Sequence, residues 1–247
     1  MTRLGVLGWP VSHSRSPAMQ RAALREAGLD GWAYQLLPVP PELFDETVRA
    51  LPAAGFVGAN VTIPHKEAAL ALADRATPLA QTIGAANTLT FTEAGIEADN
   101  TDAPGLLAAI GHDLPQSALV LGAGGSARAA VFALAGAGCE VSVLARTPSR
   151  AAGLPATIVD APVEAQALVN CTPVGLDDPD ALPLAPAGYE LVVDLVYREG
   201  GTALTRAATG RVIDGLEILV RQGALSFTHW TGCQAPLETM RSAVHMG

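Results

Sequence analysis

Apolar positions in the first hundred residues fall into short runs separated by helical patterns. Residues 4–7, Leu4-Gly5-Val6-Leu7, are a continuous apolar run too short for a helix, and Gly8-Trp9-Pro10 closes it, as expected of a buried strand. In the polar loop 12–17, Ser16 followed by Pro17 reads as an N-cap with proline at the first helical position, and the helix it opens runs to Gly28. Residues 32–39 read as a second strand, 41–51 as a second helix and 56–61 as a third strand. Such alternation predicts parallel pairing, with ligands collecting at the carboxyl ends of the strands. Beyond it, Lys66 opens a helix over 67–73, and residues 83–91 form a turn into a strand that pairs through 93–95 with 96–98 as a hairpin. Asp102 stands just before a helix over 103–110.

The next stretch has a tighter pattern. Residues 118–121 are an apolar strand that ends in Gly122-Ala123-Gly124-Gly125-Ser126-Ala127, and about ten helical residues and a second strand over 140–144 follow. In a strand–turn–helix of this kind Gly122 makes the tight bend, Gly124 lets a pyrophosphate approach the backbone, and small Ala127 lets the helix pack on the strand. The amides of residues 126–128 then face an anion. After the second strand, where a carboxylate would bond the ribose of NAD, stands Ala145-Arg146-Thr147-Pro148-Ser149-Arg150. Arg146 and Arg150 suit a 2′-phosphate through paired, charge-assisted hydrogen bonds, the alternative being two solvated surface arginines.

Composition narrows the class. A chain of 247 residues with 49% hydrophobic content holds one large domain or two small ones. A net charge of −9 argues against a nucleic-acid surface and leaves small molecules as partners. The three cysteines, Cys139, Cys171 and Cys233, have no metal-site spacing and do not make a disulfide framework, so a reduced cytoplasmic setting is expected, with no metal. No basic-then-apolar leader and no run of membrane-spanning length is evident.

Candidate chemistry lies where the strands end. Ser14 and Ser16 follow the first strand, and Asn60, Thr62 and Lys66 lie at and after the third. A lysine in a first helical turn meets the positive end of the helix dipole, which penalises its charged form; it is either a proton-exchanging group or a surface lysine neutralised by Glu67. Asp102 is either a helix cap or a carboxylate that also reacts.

Taken together, Ser14-Arg15-Ser16, Asn60-Val-Thr-Ile-Pro-His-Lys66, Gly84-Ala-Ala-Asn87-Thr88, Asp99-Asn-Thr-Asp102, the glycine turn, Asn170-Cys-Thr172-Pro173-Val-Gly175, Asp194-Leu-Val-Tyr197 and Asp214-Gly215-Leu resemble the shikimate dehydrogenase family, in that family's order and over nearly the whole chain. The resemblance implies an α/β fold with an N-terminal α/β substrate domain (1–102), a Rossmann-type doubly wound dinucleotide-binding domain (103–214) and C-terminal helices (215–247) returning to the first. It also implies substrate in the cleft between the domains. The implied activity is reversible, NADP(H)-linked interconversion of 3-dehydroshikimate and shikimate in aromatic amino-acid biosynthesis, by a monomer or homodimer.

Carried over residue by residue, the family's substrate contacts fall on Ser14, Ser16, Asn60, Thr62, Lys66, Asn87, Asp102, Tyr197 and Gln222, with Lys66 and Asp102 as the catalytic pair. The serines and Tyr197 hold the carboxylate and the others meet ring hydroxyls; read alone, Gln222 would be a solvated residue of a helix over 215–227. Cofactor contacts fall on Gly122 to Ala127, Arg146, Thr147, Arg150, Asn170, Thr172, Pro173 and Gly215. Three features depart from the family's pattern. Ala145 replaces an asparagine, and Glu199 stands where proline is usual, which predicts a looser loop after Tyr197. Stretch 151–169 is short by about one helix, leaving either a minimal crossover at 162–167 or a lost covering helix. The rival readings are a quinate dehydrogenase of the same fold and a non-catalytic sensor of shikimate-like ligands.

Overall fold

The computed structural model describes residues 1–245, which form two compact units: 1–101 with the chain from Val220 onward, and Asp102–Leu219. In chain order the first unit contains β1 (Thr2–Gly8), α1 (Ser16–Glu26), β2 (Trp32–Pro38), α2 (Phe44–Ala50), β3 (Phe56–Val61), α3 (Lys66–Leu72), β4 (Arg75–Ala76), α4 (Pro78–Ile83), β5 (Thr88–Thr92) and β6 (Gly95–Asp99). The second contains α5 (Asp102–Ile110), β7 (Ser117–Leu121), α6 (Gly125–Gly136), β8 (Glu140–Leu144), β9 (Thr157–Val159), β10 (Ala167–Asn170), β11 (Leu191–Asp194), α7 (Ala203–Ala207) and β12 (Arg211–Ile213). Helix α8 (Gly215–Thr231) leaves the second unit and enters the first, and α9 (Leu237–His245) follows it. The division between the units falls within α8, between Leu219 and Val220, and Asp102 lies in the second unit. No helix among the described residues is long and apolar enough to cross a membrane.

The first unit's sheet has the order β2-β1-β3-β5-β6-β4. Strand β1 pairs in parallel with β2 and β3, while the hairpin β5–β6 adds to β3 antiparallel, so the sheet is mixed. Its apolar face buries Leu7, Phe44, Val48, Val61, Leu72 and Leu89 among others. Helix α8 lies close to this unit: a Cβ at Gly58 of β3 would stand 2.3 Å from Trp230 Nε1, which donates to the Leu89 carbonyl at 3.1 Å. Similarly, a Cβ at Gly223 would collide with Met19 of α1, whose neighbour Gln20 donates to the Gly223 carbonyl at 2.9 Å.

Two local expectations are corrected. Ser16 is the first helical residue of α1, not its cap; the turn is closed by Ser14, whose Oγ accepts from the Ser16 N–H at 3.3 Å. The expected helix over 41–51 is instead a 3-10 turn (Pro41–Leu43), with the Leu43 N–H donating to the Pro40 carbonyl at 3.0 Å, followed directly by α2.

The start of α3 is anchored by its preceding residue. His65 is buried, stacks on Phe44 with ring centroids 4.4 Å apart and 15° between planes, and places Nε2 2.7 Å from the Val39 carbonyl. That carbonyl is an acceptor only, so Nε2 carries the proton and donates. Burial pushes the imidazole below its ordinary value, with the Val39 hydrogen bond opposing.

The second unit's sheet, β12-β11-β10-β7-β8-β9, is parallel at every pair. Strand order reverses at β7 and β10, the switch point at whose carboxyl ends such sheets bind ligands. Helix α6 packs on β7 and β8 and against α5. Leu119, Leu121, Leu168 and Val192 are covered differently, by Tyr189, Leu204 and the partly buried Val159, Val163, Leu184 and Ala208. Of these only Leu204 lies in a helix. Residues 160–166, which carry the chain from β9 to β10, are not helical. The covering helix is absent, and a groove of ≈ 650 Å³ lined by Ser117, Val163, Gln166, Leu184 and Tyr189 lies beside this connection.

Two expected outcomes follow from these contacts. Gly58→Ala should destabilise the protein by about 1–3 kcal/mol through overpacking against Trp230, measured by urea unfolding, and Trp230→Leu should recover part of that loss. For His65, a folded-state value below the unfolded one means that the unfolded chain binds more protons under pH ~6.5. Its contribution to stability is therefore complete above that pH and is lost as pH falls below it. Unfolding midpoints should drop more between pH 7.5 and pH 5.5 for the natural protein than for His65→Gln.

Candidate active site

The first unit presents a buried polar network where β3, β5 and α8 meet. Asn60 Oδ1 accepts from the Tyr34 hydroxyl at 2.8 Å, and its Nδ2 donates to Ser226 Oγ at 2.9 Å and the Asn87 carbonyl at 3.2 Å. Asn87 Oδ1 accepts from the Thr101 N–H at 2.7 Å, which fixes the flip of that amide. Asn87 Nδ2 accordingly donates to Thr101 Oγ1 at 2.9 Å and Gln222 Oε1 at 3.1 Å. The hydroxyls of Thr88 and Ser226 stand 2.8 Å apart within the same network. Gln222 is 7% exposed, so it is not the solvated helix residue that its neighbours in sequence would allow.

Of the expected site residues, Asn60, Asn87 and Gln222 are thus brought together, and Asn60 is tied to protein partners through both ends of its amide. Ser14 and Ser16 sit at the opening of α1, Thr62 directly follows β3, and Lys66 is the first residue of α3. Lys66 is 9% exposed while Glu67 is exposed, which removes the surface-lysine reading. Asp102 begins α5 and directly follows Thr101, itself held by Asn87.

The nucleotide turn forms as its residues require. Gly122 has φ +108°, a conformation that side chains rarely adopt, and bonds the Leu144 carbonyl through its N–H at 2.9 Å. Gly124 is the N-cap of α6, with no side-chain cap and no acidic residue in the first turn. A Cβ at Gly124 would meet no protein atom within 4 Å, so the space above the helix start is open, and fully buried Ala127 packs beneath it. An uncapped, carboxylate-free helix start under open space fits a pyrophosphate. Past β8, Arg146, Thr147 and Arg150 are exposed, the last at a 3-10 turn (Pro148–Ala151). These residues fit a 2′-phosphorylated dinucleotide.

At the carboxyl ends of β10 and β11 a second buried network orders two loops. Asp194, fully buried, accepts at Oδ1 from Asn170 Nδ2 (2.9 Å) and the Val196 N–H (3.0 Å), and at Oδ2 from Thr202 Oγ1 (2.6 Å). Burial pushes its carboxyl up; the Thr202, Val196 and Asn170 hydrogen bonds pull the other way, and Asp214 adds to the rise. Asn170 Oδ1 in turn accepts from the N–H and hydroxyl of Thr172, with exposed Pro173 next in the loop. Gly215 has a packing reason: a Cβ there would stand 2.5 Å from the Leu195 carbonyl oxygen. The loop carrying Tyr197 is also bonded by Arg198 to the Gly175 carbonyl and closed by a capping box between Thr202 and Thr205. It is held, not loose, despite Glu199 and the two glycines.

Tyr34, Thr88, Ser226, Asp194 and Thr202 were not among the expected site residues. A polar pair spaced i, i+4 on an otherwise apolar face, Gln222 and Ser226, is the sequence signal for the first network; Asp194 ending an apolar strand is the signal for the second.

Comparison with known proteins agrees with this geometry. Residues 6–89 match the shikimate dehydrogenase substrate binding domain, and residues 215–245 match the shikimate 5'-dehydrogenase C-terminal domain. A shikimate dehydrogenase (NADP(+)) of Anaeromyxobacter sp. (strain Fw109-5) is 45% identical over 97% of this chain and 94% of the relative. Another from Thermus thermophilus is 48% identical over 94% of this chain and 93% of the relative. The crystal structure of a Thermus thermophilus shikimate 5-dehydrogenase in complex with NADP(H) and shikimate superposes with a TM-score of 0.91 at 44% identity, covering 100% of this chain and 99% of that one. With relatives this similar over nearly its whole length, the chain belongs to the shikimate dehydrogenase family.

Proposed function

We propose that this protein is an NADP-dependent shikimate dehydrogenase that interconverts 3-dehydroshikimate and shikimate. The observation that carries the reading is the match, over the full length of both chains, to an enzyme solved with NADP(H) and shikimate. The open helix start at Gly124 and the carboxylate-free segment at Arg146 support the cofactor side of it. Three cysteines without disulfides suit a reducing, cytoplasmic setting.

Bound NADPH supplies the hydride equivalent that reduces the ketone carbon. Negative charge then develops on the former carbonyl oxygen, and the protein has to neutralise it and deliver a proton there. We assign that proton to Lys66, whose ammonium stabilises the developing charge before giving up the proton, and which takes a proton from the hydroxyl in the reverse direction. Asp102 orients the lysine as its carboxylate partner. His65, one residue earlier, is committed to Val39 and Phe44 and plays no part. Asn87 and Gln222 supply amide groups for the ring hydroxyls, because each buried hydroxyl left unpaired costs about 1–3 kcal/mol. Asn60, bonded at both ends of its amide to Tyr34 and Ser226, contributes by fixing α8 beside Asn87, with its second oxygen lone pair left for a substrate hydroxyl. Ser14, Ser16 and Tyr197 are assigned to the substrate carboxylate, and Thr62 to the same pocket. On the cofactor, residues 122–127 serve the pyrophosphate side, Arg146, Thr147 and Arg150 the 2′-phosphate, and Asn170, Thr172, Pro173 and Gly215 complete the contacts.

Lys66→Ala should lower kcat by about 10²- to 10⁴-fold, the usual contribution of general acid–base catalysis, while changing shikimate KM far less. Asp102→Asn, which keeps the shape and loses the charge, should lower kcat as well. Near-normal turnover of Lys66→Ala at saturating substrate would make the lysine a binding group only. For the cofactor, Arg146→Ala should weaken NADP binding by roughly 10- to 100-fold and leave NAD nearly unchanged, since a charged hydrogen bond contributes about 1.5–3 kcal/mol. Titration of both cofactors measures this, and equal losses for the two count against the assignment.

A further inference from the structure

The carboxylate of Asp194 touches both ends of the loop carrying Tyr197. Its Oδ1 holds the Val196 N–H, one residue before Tyr197, and its Oδ2 holds the Thr202 hydroxyl where the loop enters α7. The same Oδ1 accepts from Asn170, so the neighbouring loop of β10 is fixed to the same point. From the other side the loop is pressed by Gly215, where any side chain would strike the Leu195 and Val196 backbone. A fully buried carboxylate is costly unless its oxygens are bonded, and here three donors converge on it, two from the ends of this loop and one from the end of β10. An apolar residue would fill this position at the end of a buried strand at lower desolvation cost, so packing alone does not account for an acid.

We propose that Asp194 is a positioning residue for the reaction: by tying Val196 to Thr202 it sets the direction of the Tyr197 phenol and thereby the affinity for the substrate carboxylate. Asp194 itself, fully buried, meets no substrate. This rests on the reading of Tyr197 as a carboxylate-holding group. The close approach of Gly215 to Leu195 leaves the start of the loop little room to shift.

A double-mutant cycle in the full-length protein tests this, with steady-state KM for shikimate read at saturating NADP. Tyr197→Phe, which removes only the hydroxyl, should raise KM. Asp194→Asn should raise KM roughly tenfold in the natural background, the loss of about one buried hydrogen bond to a charged group, and change kcat less. In the Tyr197→Phe background the same Asp194→Asn change should have almost no further effect, because the group it positions is gone. An equal KM increase in both backgrounds would overturn the proposal, since a merely structural role acts independently of the phenol. If Tyr197→Phe alone leaves KM unchanged, it is the reading of Tyr197 that fails, and the proposal with it. Should Asp194→Asn not fold, Thr202→Val, which removes a single donor to the carboxylate, takes its place in the same cycle with the same expected and overturning results.

Discussion

The network that ties Asn60 and Asn87 to α8 is the constraint on which the first unit depends. The chain leaves this unit after Thr101 and comes back only at Val220. What receives it is a set of buried polar side chains, Asn60, Asn87, Thr88 and Thr101. Without Ser226 and Gln222, Asn60 Nδ2 would lose its 2.9 Å acceptor, Asn87 Nδ2 its 3.1 Å contact with Gln222, and the Thr88 and Thr101 hydroxyls the Ser226 hydroxyl they share. Each such group costs about 1–3 kcal/mol when left unmade. A helix arriving one position out of phase would present Leu225 or Phe227 to them instead. The network therefore specifies the rotation of α8, while Gly58 and Gly223 specify its distance, since Trp230 and Met19 occupy the space where side chains would stand.

The same logic decides what could be read from the sequence. Local patterns placed β1, the hairpin β5–β6, and the strand–turn–helix–strand around Gly122, because period, glycine position and proline act over a few residues. Long-range partners were not legible. Ser16 before Pro17 looks like the cap of α1, yet it is already helical, and Ser14 Oγ accepts from its N–H instead. Gln222 is indistinguishable from a surface glutamine until Asn87, far away in sequence, is brought against it. Asn60 and Asn170 stand in motifs at strand ends and are easily taken for ligand groups, yet their amides are largely spent on the protein. Asp194 was visible as part of a motif but had no evident role, because its donors come from two residues after it and one on another strand.

A shorter connection changes how the second sheet is covered. A helix satisfies its own backbone groups, whereas the irregular segment between β9 and β10 needs outside partners. Ser117 Oγ accepts from the Gln166 N–H at 3.0 Å, and the Gln166 side-chain oxygen accepts from the Gln116 N–H at 2.6 Å. Val163 and Ala165 reach the apolar face of the sheet between these polar ties. Coverage is thus achieved with less chain, and a groove remains beside it.

The brevity of β9 has a consequence for association between copies. It is the outermost strand of its sheet, and its unpaired side is the kind of edge on which another chain's strand could build. With three residues it offers few backbone groups, and Pro155 and Pro162 flank it closely, so an incoming strand would find no continuous ladder to extend. Exposed Ile158 is left standing between Pro155 and the charge of Asp160. Loss of the covering helix in this part of the chain has therefore not opened a template for aggregation, because the strand that precedes it is too short and too interrupted to serve as one.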